Sequence, residues 1–191
     1  MRLAKSQIPN PNAQRARGLF LGIWGLGFGI CLSAQVTREE ALTQVYPGAE
    51  IRAEQVFLTP AQIEQVAKRA GTDPGSALVA RYIATRGGRA AGRAYIDTHT
   101  VRTKRESLLV SLDAVGQVMR VDVTAFLEPS EYRAPGAWLG QFRGRVLDED
   151  LAVNRAIRPI AGATLTARAA SNAVRRVLAI DELLQPAGEK P

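Results

Sequence analysis

The sequence predicts an α+β protein, in which an antiparallel sheet of two hairpins carries packed helices and an N-terminal membrane or signal segment precedes them. Three observations support this prediction. Apolar and polar residues alternate in two consecutive stretches, 77–98 and 107–128, and each stretch is interrupted by a turn signal. Before and after these two stretches, apolar residues recur at the three- and four-residue spacing of a helix. An uncharged apolar run lies near the N-terminus.

Residues 1–34 resemble a signal peptide or an N-terminal membrane anchor. Basic residues occur only before an uncharged stretch over 18–34, and acidic residues do not occur there. This asymmetry predicts an inside N-terminus and a domain outside the cytoplasmic membrane, either anchored or secreted to the periplasm. A helix of this length reaches about 26 Å, close to the minimum for crossing a bilayer, so cleavage and retention both remain open.

The net charge of +7 does not by itself indicate nucleic-acid binding. Without the leader, the chain has 21 basic and 18 acidic residues, and the arginines are scattered along the sequence among the acidic residues. We therefore expect no nucleic-acid partner. The single cysteine, Cys31, lies in the leader, so the rest of the chain offers no disulfide and no thiolate ligand for a metal.

Residues 35–76 are predicted to form a helical lead-in. Thr37 and Glu40 fit a capping box at the start of a short helix. Thr59 begins a second helix, with proline at its first position, and Gly71 ends it.

Residues 77–184 are predicted to form the main domain. The turn of the first hairpin falls at Gly87-Gly88, and that of the second at 113–116. A proline-bracketed loop and a short aromatic helix at 138–142 follow. The last and most regular helix runs from Thr164 or Leu165 to Leu184, and residues 185–191 are predicted to be a disordered tail.

The segment Ala161-Gly162-Ala163-Thr164-Leu165-Thr166 stands where an extended stretch meets this last helix. A glycine at a helix start lets backbone N–H groups approach an oxyanion, and the positive end of the helix favours phosphate. A threonine at a helix start is also an ordinary N-cap. From the spacing alone, phosphate binding and simple helix capping both remain open.

The Gly-Ala-Thr-Leu-Thr-x-x-Ala run at 162–169, followed by an arginine-rich amphipathic helix, resembles the flavinylation motif of the FMN-binding domain family. That family includes flavin-carrying components of the sodium-pumping NADH:quinone reductase and of the Rnf electron-transport complex. Its members carry FMN joined through the phosphate to the motif threonine by a dedicated flavin transferase. The resemblance covers roughly residues 77–184 and is strongest for short standalone exported members, and it implies FMN attached to Thr164.

The resemblance also implies which residues contact the cofactor. They are the turn residues Ala161, Gly162, Ala163, Thr164, Leu165 and Thr166, together with Arg158. Arg158 stands where the family usually has aspartate, and Ala161 where it has serine or threonine. Arg158 can pair with a phosphate, so covalent and non-covalent binding both remain open.

Two further residues, His99 and Glu128, are predicted from their positions in the sequence to contact the cofactor. The sole histidine, His99, ends a predicted strand and has no neighbouring histidine or cysteine, so we expect no transition-metal site. It has either a hydrogen-bonding role or a contact with the flavin ring. Glu128 lies in a proline-rich loop, and such loops often line binding sites.

The expected function is that of an exported, membrane-associated FMN-binding electron-transfer protein. Its partners would be a flavin transferase for maturation, redox partner proteins and, through the N-terminal segment, the membrane. We expect an electron carrier rather than a self-sufficient enzyme, because no nucleophilic or proton-transfer constellation is visible in the sequence. The alternative is a degenerate flavin domain that serves as a non-catalytic binding or assembly module of a membrane redox system.

Overall fold

The computed structural model describes residues 37–185, which form a five-stranded antiparallel sheet flanked by helices. This confirms the α+β class. The predicted leader at 1–34 and residues 186–191 of the predicted tail lie outside the described residues.

The strands follow one another in the sheet in chain order. They are β1 (Glu50–Phe57), β2 (Leu78–Arg86), β3 (Arg89–Thr100), β4 (Arg105–Asp113) and β5 (Val118–Phe126). The helices are α1 (Arg38–Val45), α2 (Pro60–Ala70), α3 (Gly136–Leu139) and α4 (Thr164–Leu184), with short 3-10 turns at Ser130–Tyr132 and Gly140–Phe142.

Both predicted hairpins are confirmed. Gly87 and Gly88 form the β2–β3 turn with positive φ angles of 56° and 75°, which glycine adopts without strain. In the β4–β5 turn, the Asp113 carboxylate accepts the backbone N–H groups of Val115 and Gln117 at 3.0 and 2.8 Å. The capping boxes at Thr37 and Thr59 are also present.

The prediction of a wholly helical lead-in at 35–76, and of a sheet with only two hairpins, missed strand β1. This strand is the edge of the sheet, it is mostly exposed, and it pairs with β2 from Glu50 opposite Thr85 to Phe57 opposite Leu78. An exposed edge strand needs no apolar alternation. Its formation depends on pairing with β2, which local sequence does not encode.

Two apolar clusters lie on opposite faces of the sheet. Tyr95 and Leu108 point into the larger cluster beneath α2 and α4, whereas Ala94 and Leu109 pack in the smaller cluster with α1. Successive residues of β3 and β4 therefore alternate between the two faces, as the pleat of a strand requires.

Two buried ion pairs fasten α4 to β3. Arg93 contacts Asp181 through two hydrogen bonds of 2.6 and 2.9 Å, and Tyr95 donates its hydroxyl to the same carboxylate at 2.7 Å. Arg176 contacts Asp97 at 2.7 and 2.9 Å. The position of α4 on the sheet is thus fixed by directional contacts as well as by apolar packing.

Within residues 37–185, no helix is both long enough and apolar enough to cross a membrane.

Candidate functional site

A cavity of about 300 Å³ opens where α4 begins. This volume is at the lower end of the range for small-molecule sites. The β3–β4 turn, the segment after β5 and the start of α4 meet at this edge of the sheet and supply its walls. The lining residues are Val101, Arg102, Glu128, Tyr132, Gly162, Ala163, Thr164, Leu165 and Thr166.

The start of α4 has no side-chain cap. Ala163 is the N-cap residue, and its carbonyl accepts the first helical hydrogen bond, from Ala167 N at 3.1 Å. Within the described part of the chain, the N–H groups of residues 164–166 have no protein acceptor. An ordinary N-cap role for Thr164 is therefore wrong, and the helix presents free N–H donors of the kind that bind anions.

The two threonines of the turn have different environments. Thr164 is exposed at the first helical position and lines the cavity. Thr166 is only 1% exposed and donates its hydroxyl to the Tyr132 carbonyl at 2.8 Å. Thr166 therefore holds one wall of the cavity in place, whereas the Thr164 hydroxyl is accessible for chemistry.

Glu128 organises the opposite wall. Its Oε1 atom accepts the backbone N–H groups of Arg102, Thr103 and Lys104 at 3.2, 2.7 and 2.8 Å. These hydrogen bonds, chiefly from Thr103 and Lys104, lower the pKa of Glu128. The ionised carboxylate therefore fixes the β3–β4 turn, and with it the position of Arg102 at the cavity.

We expect Glu128→Ala to loosen this turn selectively. Three N–H groups would lose their shared acceptor, so amide hydrogen exchange at residues 102–104 should become severalfold faster, as measured by NMR. Glu131→Ala, in the adjacent exposed loop, is the matched control and should leave these rates unchanged. Unchanged exchange in the Glu128 variant would contradict the role assigned to the carboxylate.

Three predicted site residues do not line the cavity. The amide and Nε groups of Arg158 both donate to Gln141 Oε1, at 3.0 and 3.3 Å, and the Arg158 carbonyl accepts from Trp138 Nε1 at 2.6 Å. Ala161 is exposed but is not a lining residue. His99 is half-buried, and its two ring nitrogens contact the carboxylates of Asp97 and Glu106; it is not a lining residue of the cavity.

Sequence reasoning missed Val101, Arg102 and Tyr132. Arg102 is the lining residue with a positive charge, and it lies in the connection between the two predicted hairpins, for which the sequence predicted no function. Tyr132 and Leu165 are 38% and 50% exposed at the cavity and offer apolar surface to a ring system. A basic residue in the short connection between the two predicted hairpins was the available signal.

No family model, curated protein or solved structure matches the chain. The fold and the site define a class of structure only. The chain contains an α+β domain with a meander sheet and a small-molecule-sized cavity at an uncapped helix start.

Proposed function

We propose that the protein is an exported, membrane-associated electron carrier of the FMN-binding domain family, and that FMN is ester-linked through its phosphate to Thr164. The observation that carries the proposal is an exposed threonine hydroxyl beside a cavity, at a helix start with free N–H groups. The proposal also draws on the flavinylation motif at 162–169.

The lining residues fit an anionic flavin in two respects. The free N–H groups of residues 164–166 and the Arg102 guanidinium supply positive potential for a phosphate. The exposed apolar surfaces of Tyr132 and Leu165 supply a wall for an aromatic ring.

Attachment would be a phosphoryl transfer to Thr164. The donor would be a flavin dinucleotide, in which the FMN phosphate is joined to a nucleoside monophosphate by a phosphoanhydride bond. The Thr164 oxygen bonds to the FMN phosphorus, the phosphoanhydride bond breaks, and the nucleoside monophosphate leaves while the hydroxyl proton is released. The protein therefore gains the mass of FMN less one water. A flavin transferase would bring the flavin to this exposed position.

Bound FMN supplies the redox chemistry, accepting electrons from one redox protein and passing them to another. The protein contributes attachment, orientation and the charge around the ring. The predicted leader would hold the domain on the outer side of the cytoplasmic membrane, where both redox partners must then be accessible.

The proposal is tested by coexpressing the exported protein with a flavin transferase and then denaturing the purified product. We expect yellow colour that survives denaturation and a mass increase of one FMN less one water. Colour that is lost on denaturation would show that FMN binds without the Thr164 ester, and would contradict the covalent part of the proposal.

The second candidate is a degenerate flavin domain that acts as a binding or assembly module. It is favoured by Arg158 and Ala161, which depart from the family pattern and do not line the cavity. A colourless native protein, obtained with transferase and FMN present, would support this module and contradict the electron carrier.

A further inference from the structure

A cluster of buried charged groups lies between α4 and the sheet, next to the cavity. His99 Nδ1 is 2.8 Å from Asp97 Oδ1, and His99 Nε2 is 3.0 Å from Glu106 Oε2. The side chains are 10%, 8% and 0% exposed, in the order His99, Asp97, Glu106. Arg176 of α4 contacts the far side of Asp97 at 2.7 and 2.9 Å.

The two contacts of His99 determine the proton count of the cluster. A hydrogen bond between a nitrogen and a carboxylate oxygen needs one hydrogen, and a neutral imidazole carries only one on its two nitrogens. With both carboxylates ionised, both contacts are satisfied only when the ring carries two hydrogens. The geometry therefore requires one proton more than the neutral ring supplies.

The surroundings of Glu106 lead to the same conclusion. Its carboxylate is fully buried, and Oε1 has no hydrogen-bond partner within residues 37–185. Arg176 is engaged by Asp97, and the basic group in contact with Glu106 within residues 37–185 is the His99 ring. A buried carboxylate opposite a neutral ring would be poorly compensated, since buried charges require a charged partner.

The neighbouring charges on this face are already paired. Arg81 of β2 pairs with Glu54 of β1, and the Arg93–Asp181 pair lies further along β3 and α4. Phe126, the residue of β5 opposite Glu106, is uncharged. With a protonated ring the cluster holds two positive and two negative charges, whereas with a neutral ring it carries a net negative charge.

We propose that Asp97, His99 and Glu106 form a buried proton-binding site that keeps His99 an imidazolium at neutral pH and balances the charge beneath the cavity. Burial alone would disfavour the charged ring, but the hydrogen bonds to Asp97 and Glu106 outweigh it and raise the pKa of His99. For Asp97, the hydrogen bonds from His99 and Arg176 outweigh burial and lower its pKa.

The site lies close enough to regulate the cavity. His99 and the lining residue Val101 are two positions apart in the chain, about 7 Å for an extended segment. Loss of the proton would place an uncompensated negative charge near the cavity. If the cavity holds FMN, as the proposed function requires, this negative charge makes the bound flavin harder to reduce as the pH rises.

The proton site is tested on flavin-free protein, purified without a histidine tag, by ¹⁵N NMR of the imidazole. His99 is the sole histidine, so the ring signals are unambiguous. We expect a doubly protonated ring at pH 7, titrating above the ordinary value of about 6.5. A neutral ring at pH 7 would overturn the proposal, and this titration of the unmodified protein requires no variant.

Glu106→Gln should move the titration to lower pH, because it removes the carboxylate facing Nε2. Glu131→Gln, at an exposed position, should leave it unchanged.

Urea unfolding adds an independent readout. The imidazolium stabilises the folded protein fully below pH about 6.5, the pKa of an unfolded histidine. This stabilisation is lost as the pH rises through the higher pKa of His99 in the folded protein, so the urea concentration at the midpoint of unfolding should fall over that pH range. His99→Gln should lack this fall, and the same pH dependence in both proteins would contradict the assignment.

The effect on the flavin is measured on protein that carries covalent FMN. The midpoint potential of the unmodified protein should fall more steeply with pH than that of Glu106→Gln across the range in which His99 titrates. Equal slopes would overturn the regulatory part of the inference. Failure to obtain flavinylated protein would count against the proposed function, while the NMR titration would still decide the proton site.

Discussion

Thr164→Ala should abolish covalent flavin incorporation and leave the fold intact. The substitution removes the proposed acceptor oxygen, but Thr164 is exposed, so its effect on stability should be within about 0.5 kcal/mol. Coexpression with a flavin transferase, followed by in-gel flavin fluorescence after denaturation, measures the loss. Thermal unfolding of the same sample checks the fold.

Two further variants make the Thr164 result specific. Thr164→Ser keeps a hydroxyl at the same position and should still be flavinylated. Thr100→Ala removes another exposed hydroxyl, at the end of β3 and outside the cavity lining, and should not change incorporation. Flavin that remains on Thr164→Ala after denaturation would show that the acceptor is assigned to the wrong residue.

Asp181→Asn should be among the most destabilising substitutions that leave side-chain size nearly unchanged. It removes the charge that faces Arg93 at 2.6 and 2.9 Å, where the two side chains are only 8% and 5% exposed. Breaking a buried ion pair by removing one partner costs about 3–5 kcal/mol, because the other charge stays buried without compensation. Urea unfolding measures the change.

The neighbouring residue Glu182 provides a matched control. Its ion pair with Arg69 has a similar contact distance of 2.8 Å, but the side chains are about half exposed. Glu182→Gln should therefore cost roughly 0–1 kcal/mol. If both variants lost stability equally, the assigned role of the buried Arg93–Asp181 pair in fastening α4 would be wrong.

The parts of the fold that could be predicted from sequence are those whose signals are local. The Gly87-Gly88 turn follows from glycine's access to positive φ, and α4 follows from apolar spacing over its whole length. Strand β1 could not be found in this way, because its exposed edge position removes apolar alternation and its partner β2 lies more than twenty residues later.

The residues of the candidate site also fall into two groups, those with a local sequence signal and those brought to the site by tertiary contacts. Residues 162–166 could be predicted because glycine, small residues and a threonine precede a regular helix. Arg102 and Tyr132 reach the cavity through the packing of a turn and a loop, and Glu128 fixes that turn by three long-range hydrogen bonds. His99 could not be placed either: Asp97 lies two residues before it in β3, but Glu106 reaches it only through the register of β3 with β4.

The most direct test of the central claim is to locate the flavin by tandem mass spectrometry of the tryptic peptide from Ala156 to Arg168. This peptide contains Thr164 and Thr166 as its only hydroxyl-bearing residues. We predict FMN phosphate on Thr164, because that hydroxyl is exposed at the cavity, whereas Thr166 is buried and bonded to Tyr132. An unmodified peptide from protein matured with the transferase, or flavin on Thr166, would contradict the claim.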